Sequence, residues 1–256
     1  MTQDMPQGHA QTETCTDDGC EISTTQVGAL PGETSLMRLD VVSDAICPWC
    51  YVGKRHMERA LEILRPEGIR FDVHWNPFQL NPDMPLAGVE RRAYRIQKFG
   101  SWEKSQQLDA RITEAAAGAG LEFHMERLTR TPNTLKAHRL IALAGAQGVQ
   151  DAVMEAIFQS YFLNGGDIGA EDVLLDCAVA GGMDRAATAA FLATDEGLAD
   201  IKAREMGARS AGVSGVPSFF LEGYSLFSGA MPAEQMAQAF RHAHKILSER
   251  QAQAAE

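Results

Sequence analysis

Residues 37–50 read MRLDVVSDAICPWC, an apolar run followed by two cysteines that stand three positions apart. The run at 37–43 has the composition of a β-strand. Beyond the cysteines, apolar residues recur at three- and four-residue spacing, which predicts an amphipathic helix from residue 48 to about 65. Cys47 and Cys50 therefore lie where a strand passes into a helix.

The position of the two cysteines predicts dithiol chemistry. Pro48 favours the first position of a helix, where its missing N–H costs nothing, and Cys47 then becomes the N-cap. A sulfur at the N-cap faces unpaired backbone N–H groups and the positive end of the helix dipole, and both favour the thiolate. Cys50 follows one turn later on the same face. We therefore expect Cys47 to attack a disulfide and Cys50 to resolve the mixed disulfide.

A CxxC motif also occurs as half of a zinc site or as a purely structural pair. Zinc takes four ligands, and the sequence contains no second CxxC, no HxxxH and no CxxH. A structural pair seldom lies at a strand-to-helix junction with Pro48 and Trp49 between the thiols. We therefore expect redox chemistry and no metal.

The composition is that of a globular protein, with 45% hydrophobic and 22% charged residues among 256. The formal net charge of −11 argues against polyanion binding, so we expect no nucleic-acid partner. Residues 1–10 lack the basic and apolar regions of a signal peptide, and no apolar run reaches about 18 residues. These patterns predict a cytoplasmic protein without a membrane partner. In that reducing compartment we expect a CxxC to be catalytic rather than structural.

Along the chain, the spacing of apolar residues changes between the alternation of strands and the three- and four-residue spacing of helices. The order of these patterns predicts an α/β thioredoxin fold, β-α-β … β-β-α, with a large all-helical insertion. Strands are predicted at 37–43 and 69–75, and a hairpin turns at Glu222-Gly223. A final helix is predicted at 232–247. The predicted parts are a flexible acidic tail (1–36), a thioredoxin-like domain (37–84 and 213–250) and a helical insertion domain (85–212).

Val216-Pro217 enters the predicted hairpin where this fold places a proline opposite the dithiol. The bond before a proline tolerates the cis form at a cost of about 0.5–1 kcal/mol. A cis bond would point the backbone of Val216 toward an extended substrate segment. The alternative is a trans proline that opens an edge strand. Its position relative to the CxxC favours the cis interpretation.

Four ordered blocks of the sequence resemble the FrnE-like branch of the DsbA family. They are CPWCYVGK (47–54), WNPFQLNP (75–82), TPNT with AHRL (131–134 and 137–140), and GVSGVPSF (212–219). The resemblance implies an attacking thiol at Cys47, a resolving thiol at Cys50 and a cis-proline at Pro217. The Pro-Trp dipeptide provides no cation beside the sulfur, which predicts a less strongly oxidising pair than a dipeptide with histidine.

Several further residues carry a functional and a structural interpretation. Trp49 either packs against a substrate peptide or shields the thiols. Asp44 could relay a proton to Cys50, and His138 could take a catalytic part, but a structural role is favoured for both. Cys15 and Cys20 form a possible secondary redox pair, with an accidental or metal-binding pair as the alternative.

The sequence therefore predicts a thiol:disulfide oxidoreductase that acts on protein or small-molecule disulfides and thiols. No cofactor is expected, although glutathione is a possible co-substrate, and no oligomeric state is indicated. One alternative is a glutathione-dependent isomerase or transferase, because kappa-class transferases and hydroxychromene-carboxylate isomerases are similar in fold. Those proteins typically carry serine where Cys47 stands. A chaperone-like binding module is the other alternative.

Overall fold

The computed structural model describes residues 36–254. Its central sheet consists of the strands β1 (Met37–Ser43), β2 (Phe71–Pro77), β5 (Ser218–Leu221) and β6 (Tyr224–Ser228). Their order across the sheet is β2-β1-β5-β6. Strand β1 runs parallel to β2 and antiparallel to β5, and β5 is antiparallel to β6. The dithiol therefore follows a strand that has partners on both sides.

Strand β2 begins and ends two residues later than the predicted 69–75. All seven residues of β1 pair with it, from Met37 opposite Phe71 to Ser43 opposite Pro77. The alternation of apolar and polar residues at 69–75 does not predict this register, because the register depends on the partner strand. The hairpin is as predicted: Glu222 and Gly223, which form its two-residue turn, both have positive φ, 50° and 78°.

Helix α1 (Pro48–Leu64) and helix α9 (Ala233–Ala254) pack against each other beside the sheet. Met236 and Phe240 of α9 are fully buried in the same core as Leu39 and Val41 of β1. Helix α9 continues beyond its predicted end at residue 247. The last two turns are largely exposed and do not continue the apolar stripe of the helix. The sequence pattern therefore predicts an earlier end.

The segment between β2 and β5 is largely helical. Its helices are α2 (Arg91–Phe99), α3 (Trp102–Gly118), α4 (Leu135–Ala146), α5 (Gln150–Phe158), α6 (Glu171–Ala180), α7 (Arg185–Leu192) and α8 (Leu198–Ser210). A π-helical turn (Gln159–Leu163) extends α5. Two short strands, β3 (Val89–Glu90) and β4 (Arg130–Thr131), pair within it and are not foreseen by the sequence. The element order is that of a thioredoxin fold with a helical insertion, as predicted, except that the insertion also contains β3 and β4. No helix within residues 36–254 is both long and apolar enough to cross a membrane.

A buried lysine joins α1 to the helical segment. The Lys54 side chain is 1% exposed, and its Nζ lies 3.1 Å from carboxylate oxygens of both Asp151 and Glu155 on α5. It also pairs with Glu58, one turn along α1. Burial disfavours the ammonium, but Asp151, Glu58 and Glu155 outweigh that cost, and the pKa of Lys54 is raised. The charge of Lys54 therefore fixes α1 against α5.

Replacing Lys54 by methionine should lower the free energy of unfolding by about 3 kcal/mol, because the carboxylates lose the buried cation that they face. Urea unfolding checks this value. The matched control is Lys136→Met, since Lys136 and its partner Glu171 are 44% and 39% exposed. That change should cost less than about 1 kcal/mol. Equal effects of the two substitutions would show that Lys54 adds no more than a surface ion pair.

Candidate functional site

Cys47 occupies the N-cap of α1, with an extended backbone (φ −86°, ψ 111°) and Pro48 in the first turn. A tight turn leads into this position from β1. The N–H of Cys47 donates to the oxygen of Asp44 at 3.0 Å, and the N–H of Cys50 donates to the oxygen of Cys47 at 3.0 Å. The strand, the turn and the proline together place both thiols at the start of the helix.

The Cys47 thiol contacts the backbone of a distant loop. It makes no capping hydrogen bond to α1, and instead donates to the oxygen of Val216 at 3.6 Å. The bond between Val216 and Pro217 is cis. The structure thus brings together two elements of the site that are 169 residues apart in sequence. The sequence does not foresee that the sulfur faces a carbonyl rather than the N–H groups of the helix.

Gly53 permits the close approach of α1 to this loop. A Cβ at position 53 would lie 2.9 Å from Cγ of Pro217 and 3.6 Å from Cβ of Ala230. Real Cβ atoms essentially never come as close as the first of these distances. Gly53 is therefore part of the site, although the sequence signals it only as a glycine inside a helical pattern.

Cys50 is fully buried, whereas Cys47 is 4% exposed. Burial raises the pKa of the Cys50 thiol well above its ordinary value, and contact with the Cys47 thiol raises it further. Cys50 is therefore a neutral thiol near pH 7 while Cys47 is the outer member of the pair. This asymmetry suits an outer thiol that meets the substrate and an inner thiol that reacts afterwards.

Asp44, three residues before Cys47, lies close to His138. The Nε2 of His138 lies 3.3 Å from Oδ1 of Asp44, and both side chains are buried. The second carboxylate oxygen accepts the N–H of Leu80 at 2.7 Å. The sequence singles out both residues but does not foresee their contact. Asp44, directly after β1, therefore contacts both the segment after β2, through Leu80, and helix α4, through His138.

Trp49 is 44% exposed and borders a cavity of about 410 Å³ next to Cys47 and Pro48. Helices α2 and α3 of the helical segment form another wall of this cavity. Trp49 is therefore partly exposed and lines the same cavity as Cys47, which fits either of its two predicted roles.

Among the described residues, a third cysteine, Cys177, lies outside this site. Cys177 is buried on α6, and its thiol donates to the oxygen of Ala156 at 3.6 Å. Cys15 and Cys20 lie outside the described residues. Within residues 36–254, no three His, Cys, Asp or Glu side chains form a group that could hold a metal ion.

Gly53→Ala should lower both stability and the rate of disulfide exchange. Displacing Pro217 costs about 1–3 kcal/mol, which exceeds the gain in helix propensity of at most about 1 kcal/mol. Thermal unfolding and single-turnover exchange rates measure the two effects. Gly207→Ala is the control, because Gly207 also lies within a helix but nothing surrounds its Cβ position within 4 Å. Wild-type stability and rate in Gly53→Ala would show that the close approach imposes no constraint.

The reduced protein should react with iodoacetamide at Cys47 before Cys50. Near neutral pH the buried Cys50 retains its proton, and its alkylation should rise only as the pH approaches its raised pKa. Peptide mass mapping over a pH series measures the modification of each thiol. In urea, where both thiols are exposed, they should react at similar rates. Equal labelling of the folded protein near neutral pH would contradict the assigned asymmetry.

Comparison with known proteins agrees with this fold. The family model of the DSBA-like thioredoxin domain matches residues 38–241. A probable DsbA oxidoreductase from Streptomyces coelicolor is 31% identical, with 82% of this chain and 90% of that chain covered and a TM-score of 0.74. The uncharacterized protein YwbO of Bacillus subtilis strain 168 is 24% identical over 76% of this chain and 90% of its own length. The cytosolic disulfide reductase DsbM of Pseudomonas aeruginosa, solved with glutathione, shares the fold at 17% identity, with a TM-score of 0.57 and coverage of 82% and 99%. The chain therefore belongs to the DsbA-like thiol oxidoreductase family, through a thioredoxin domain that spans residues 38–241.

Proposed function

We propose that this protein is a thiol:disulfide oxidoreductase in which Cys47 attacks and Cys50 resolves. The observation that carries the proposal is the placement of Cys47. Its thiol lies at the N-cap of α1, beside the Cys50 thiol and 3.6 Å from the oxygen of Val216. Family membership supports the reaction class.

The reaction follows from the two thiols. The Cys47 thiolate attacks one sulfur of a disulfide RS–SR, so that a Cys47–SR bond forms and one RS⁻ leaves and takes a proton. Cys50 loses its proton and attacks the Cys47 sulfur, which releases the second RS⁻ and leaves a Cys47–Cys50 disulfide. The substrate gains two electrons and the protein loses two. Reversal of the same steps oxidises a substrate dithiol.

Val216, Pro217 and Trp49 are the proposed substrate contacts. The Val216 carbonyl already meets the attacking sulfur, and the chain continues from it into β5. An extended substrate segment could therefore align its backbone with Val216 while its cysteine faces Cys47. Trp49, which stands between the two cysteines in the sequence, offers an exposed aromatic surface to the same segment.

A location in the cytoplasm and the use of glutathione as a co-substrate belong to the same proposal. DsbM, which has the same fold, is a cytosolic disulfide reductase and was solved with glutathione. In a reducing compartment, thiols would keep Cys47 and Cys50 reduced, and the pair would act chiefly as a reductant. Measuring the reduction potential of the pair against glutathione determines the direction.

The test compares insulin reduction by dithiothreitol in the presence of wild-type protein and of cysteine variants. Cys47→Ser should lower the rate to the uncatalysed level, because the attacking sulfur is lost. Cys50→Ser should accumulate a mixed disulfide at Cys47, which mass spectrometry detects. Cys177→Ala is the control, since Cys177 lies on α6 away from the dithiol, and it should reduce insulin at the wild-type rate.

Wild-type rates in Cys47→Ser would refute the proposal. Glutathione conjugation or isomerase activity that survives the loss of both thiols would instead favour a glutathione-dependent transferase or isomerase. Suppression of aggregation by the variant that lacks both thiols, together with no exchange in the wild type, would favour a binding module.

A further inference from the structure

The cavity beside Cys47 has the size of a small-molecule site. Its volume of about 410 Å³ lies within the range of about 300–1,000 Å³ that such sites occupy. Buried apolar side chains of the helical segment form part of its lining, together with Cys47. They include Ile112, Met125, Leu128 and Phe162. An apolar group bound to these residues would lie close to the attacking sulfur.

Cations line the same cavity in excess of anions. Arg91, Arg95, Lys98 and Arg111 contribute to its walls, and Asp109 is the one carboxylate among the described residues that line it. Both Arg91 and Arg95 bind Asp109, at 2.8 and 2.6 Å. A single carboxylate is thus shared by two guanidinium groups, in a chain whose formal net charge is −11. The positive charge is therefore a local feature of this cavity.

The other two cations, Lys98 and Arg111, form no ion pair among the described residues. Lys98 Nζ contacts the amide oxygen of Asn81 and the hydroxyl of Tyr94, each at 2.9 Å. Arg111 is exposed on α3 and has no ion pair among the described residues. Burial and the neighbouring Arg91 lower the pKa of Arg95 despite Asp109. A bound anion would offset the excess of cations that line the cavity.

We propose that this cavity binds a small disulfide whose thiol moiety combines an apolar body with a carboxylate. This inference rests on the proposed function, because it names the substrate class that Cys47 attacks. The apolar body lies on the buried residues, the carboxylate faces Lys98 and Arg111, and the sulfur reaches Cys47. The exchange is that given above, with R as the apolar, anionic group: two electrons pass from the dithiol to the disulfide, and two thiols leave.

Two disulfides with the same reacting centre test the inference. Bis(4-carboxybenzyl) disulfide carries two carboxylates, and bis(4-carbamoylbenzyl) disulfide replaces them with neutral amides. Both release a benzyl thiolate, so their intrinsic reactivities are similar. Rate constants are measured for oxidation of the reduced protein in a single turnover. We expect the dianion to react about tenfold faster, although the net negative charge of the protein as a whole would repel it.

The double variant Lys98→Gln/Arg111→Gln should lower the ratio of the two rate constants about tenfold. Lys104→Gln is the matched control, since Lys104 is an exposed cation of α3 that does not line the cavity, and it should leave the ratio unchanged. Insulin reduction is followed in parallel as a measure of the dithiol chemistry itself.

A ratio near one in the wild type, with active insulin reduction, would overturn this inference and leave the proposed function intact. The same ratio, together with slower insulin reduction by the double variant, would assign the cavity to a side chain of a protein substrate instead. If no disulfide reacts, the proposed function fails, and calorimetric binding of 4-(benzylsulfanylmethyl)benzoate decides the ligand class. This thioether cannot exchange: binding weakened by the double variant supports the class, and absence of binding overturns it.

Discussion

The site depends on the contact between Gly53 of α1 and Pro217 of the loop before β5. Only a residue without Cβ allows this approach, because a methyl group would lie 2.9 Å from the proline ring. The contact determines how far α1 lies from the loop, and therefore the 3.6 Å distance between the Cys47 thiol and the Val216 oxygen. The positions of Cys47 and Val216 relative to each other are thus controlled by one packing distance rather than by two independent ones.

The opposite side of α1 is held by the helical segment. Tyr51 stacks on Phe158 of α5, with ring centroids 4.9 Å apart, and its hydroxyl donates to Glu155 at 2.8 Å. Lys54, one turn along α1, pairs with Asp151 and Glu155 on the same helix. A helix held on two sides keeps its N-terminus fixed, which is what a preorganised thiol requires. The insertion therefore supports the dithiol in addition to forming one wall of the neighbouring cavity.

Local signals of the sequence predict the strand-to-helix junction and the hairpin. Pro48 marks the start of α1, and the hairpin is predicted from two short strand patterns that flank Glu222-Gly223, where the glycine accepts positive φ. Contacts between distant segments leave no such signal. Strands β3 and β4 pair through two residues each, which is too few to show an alternation of apolar and polar side chains. Arg91, Arg95 and Asp109 converge only because α2 and α3 pack together, and the i,i+4 spacing of the arginines is the single trace of this in the sequence. The direction of the Cys47 thiol depends on a loop 169 residues away.

Cys47, the proposed attacking thiol, therefore faces two surfaces with different origins. The loop at Val216-Pro217 belongs to the thioredoxin part of the chain and offers a backbone carbonyl, which is independent of side-chain identity. The cavity owes its apolar floor and its cations to the helical insertion, and these depend on side chains such as Phe162, Lys98 and Arg111. Under the proposed function, exchange requires the two cysteines and their fixed geometry, so substitutions in the insertion would change which disulfide is selected without changing the reaction. In this arrangement, the insertion is the part of the molecule in which substrate specificity would diverge.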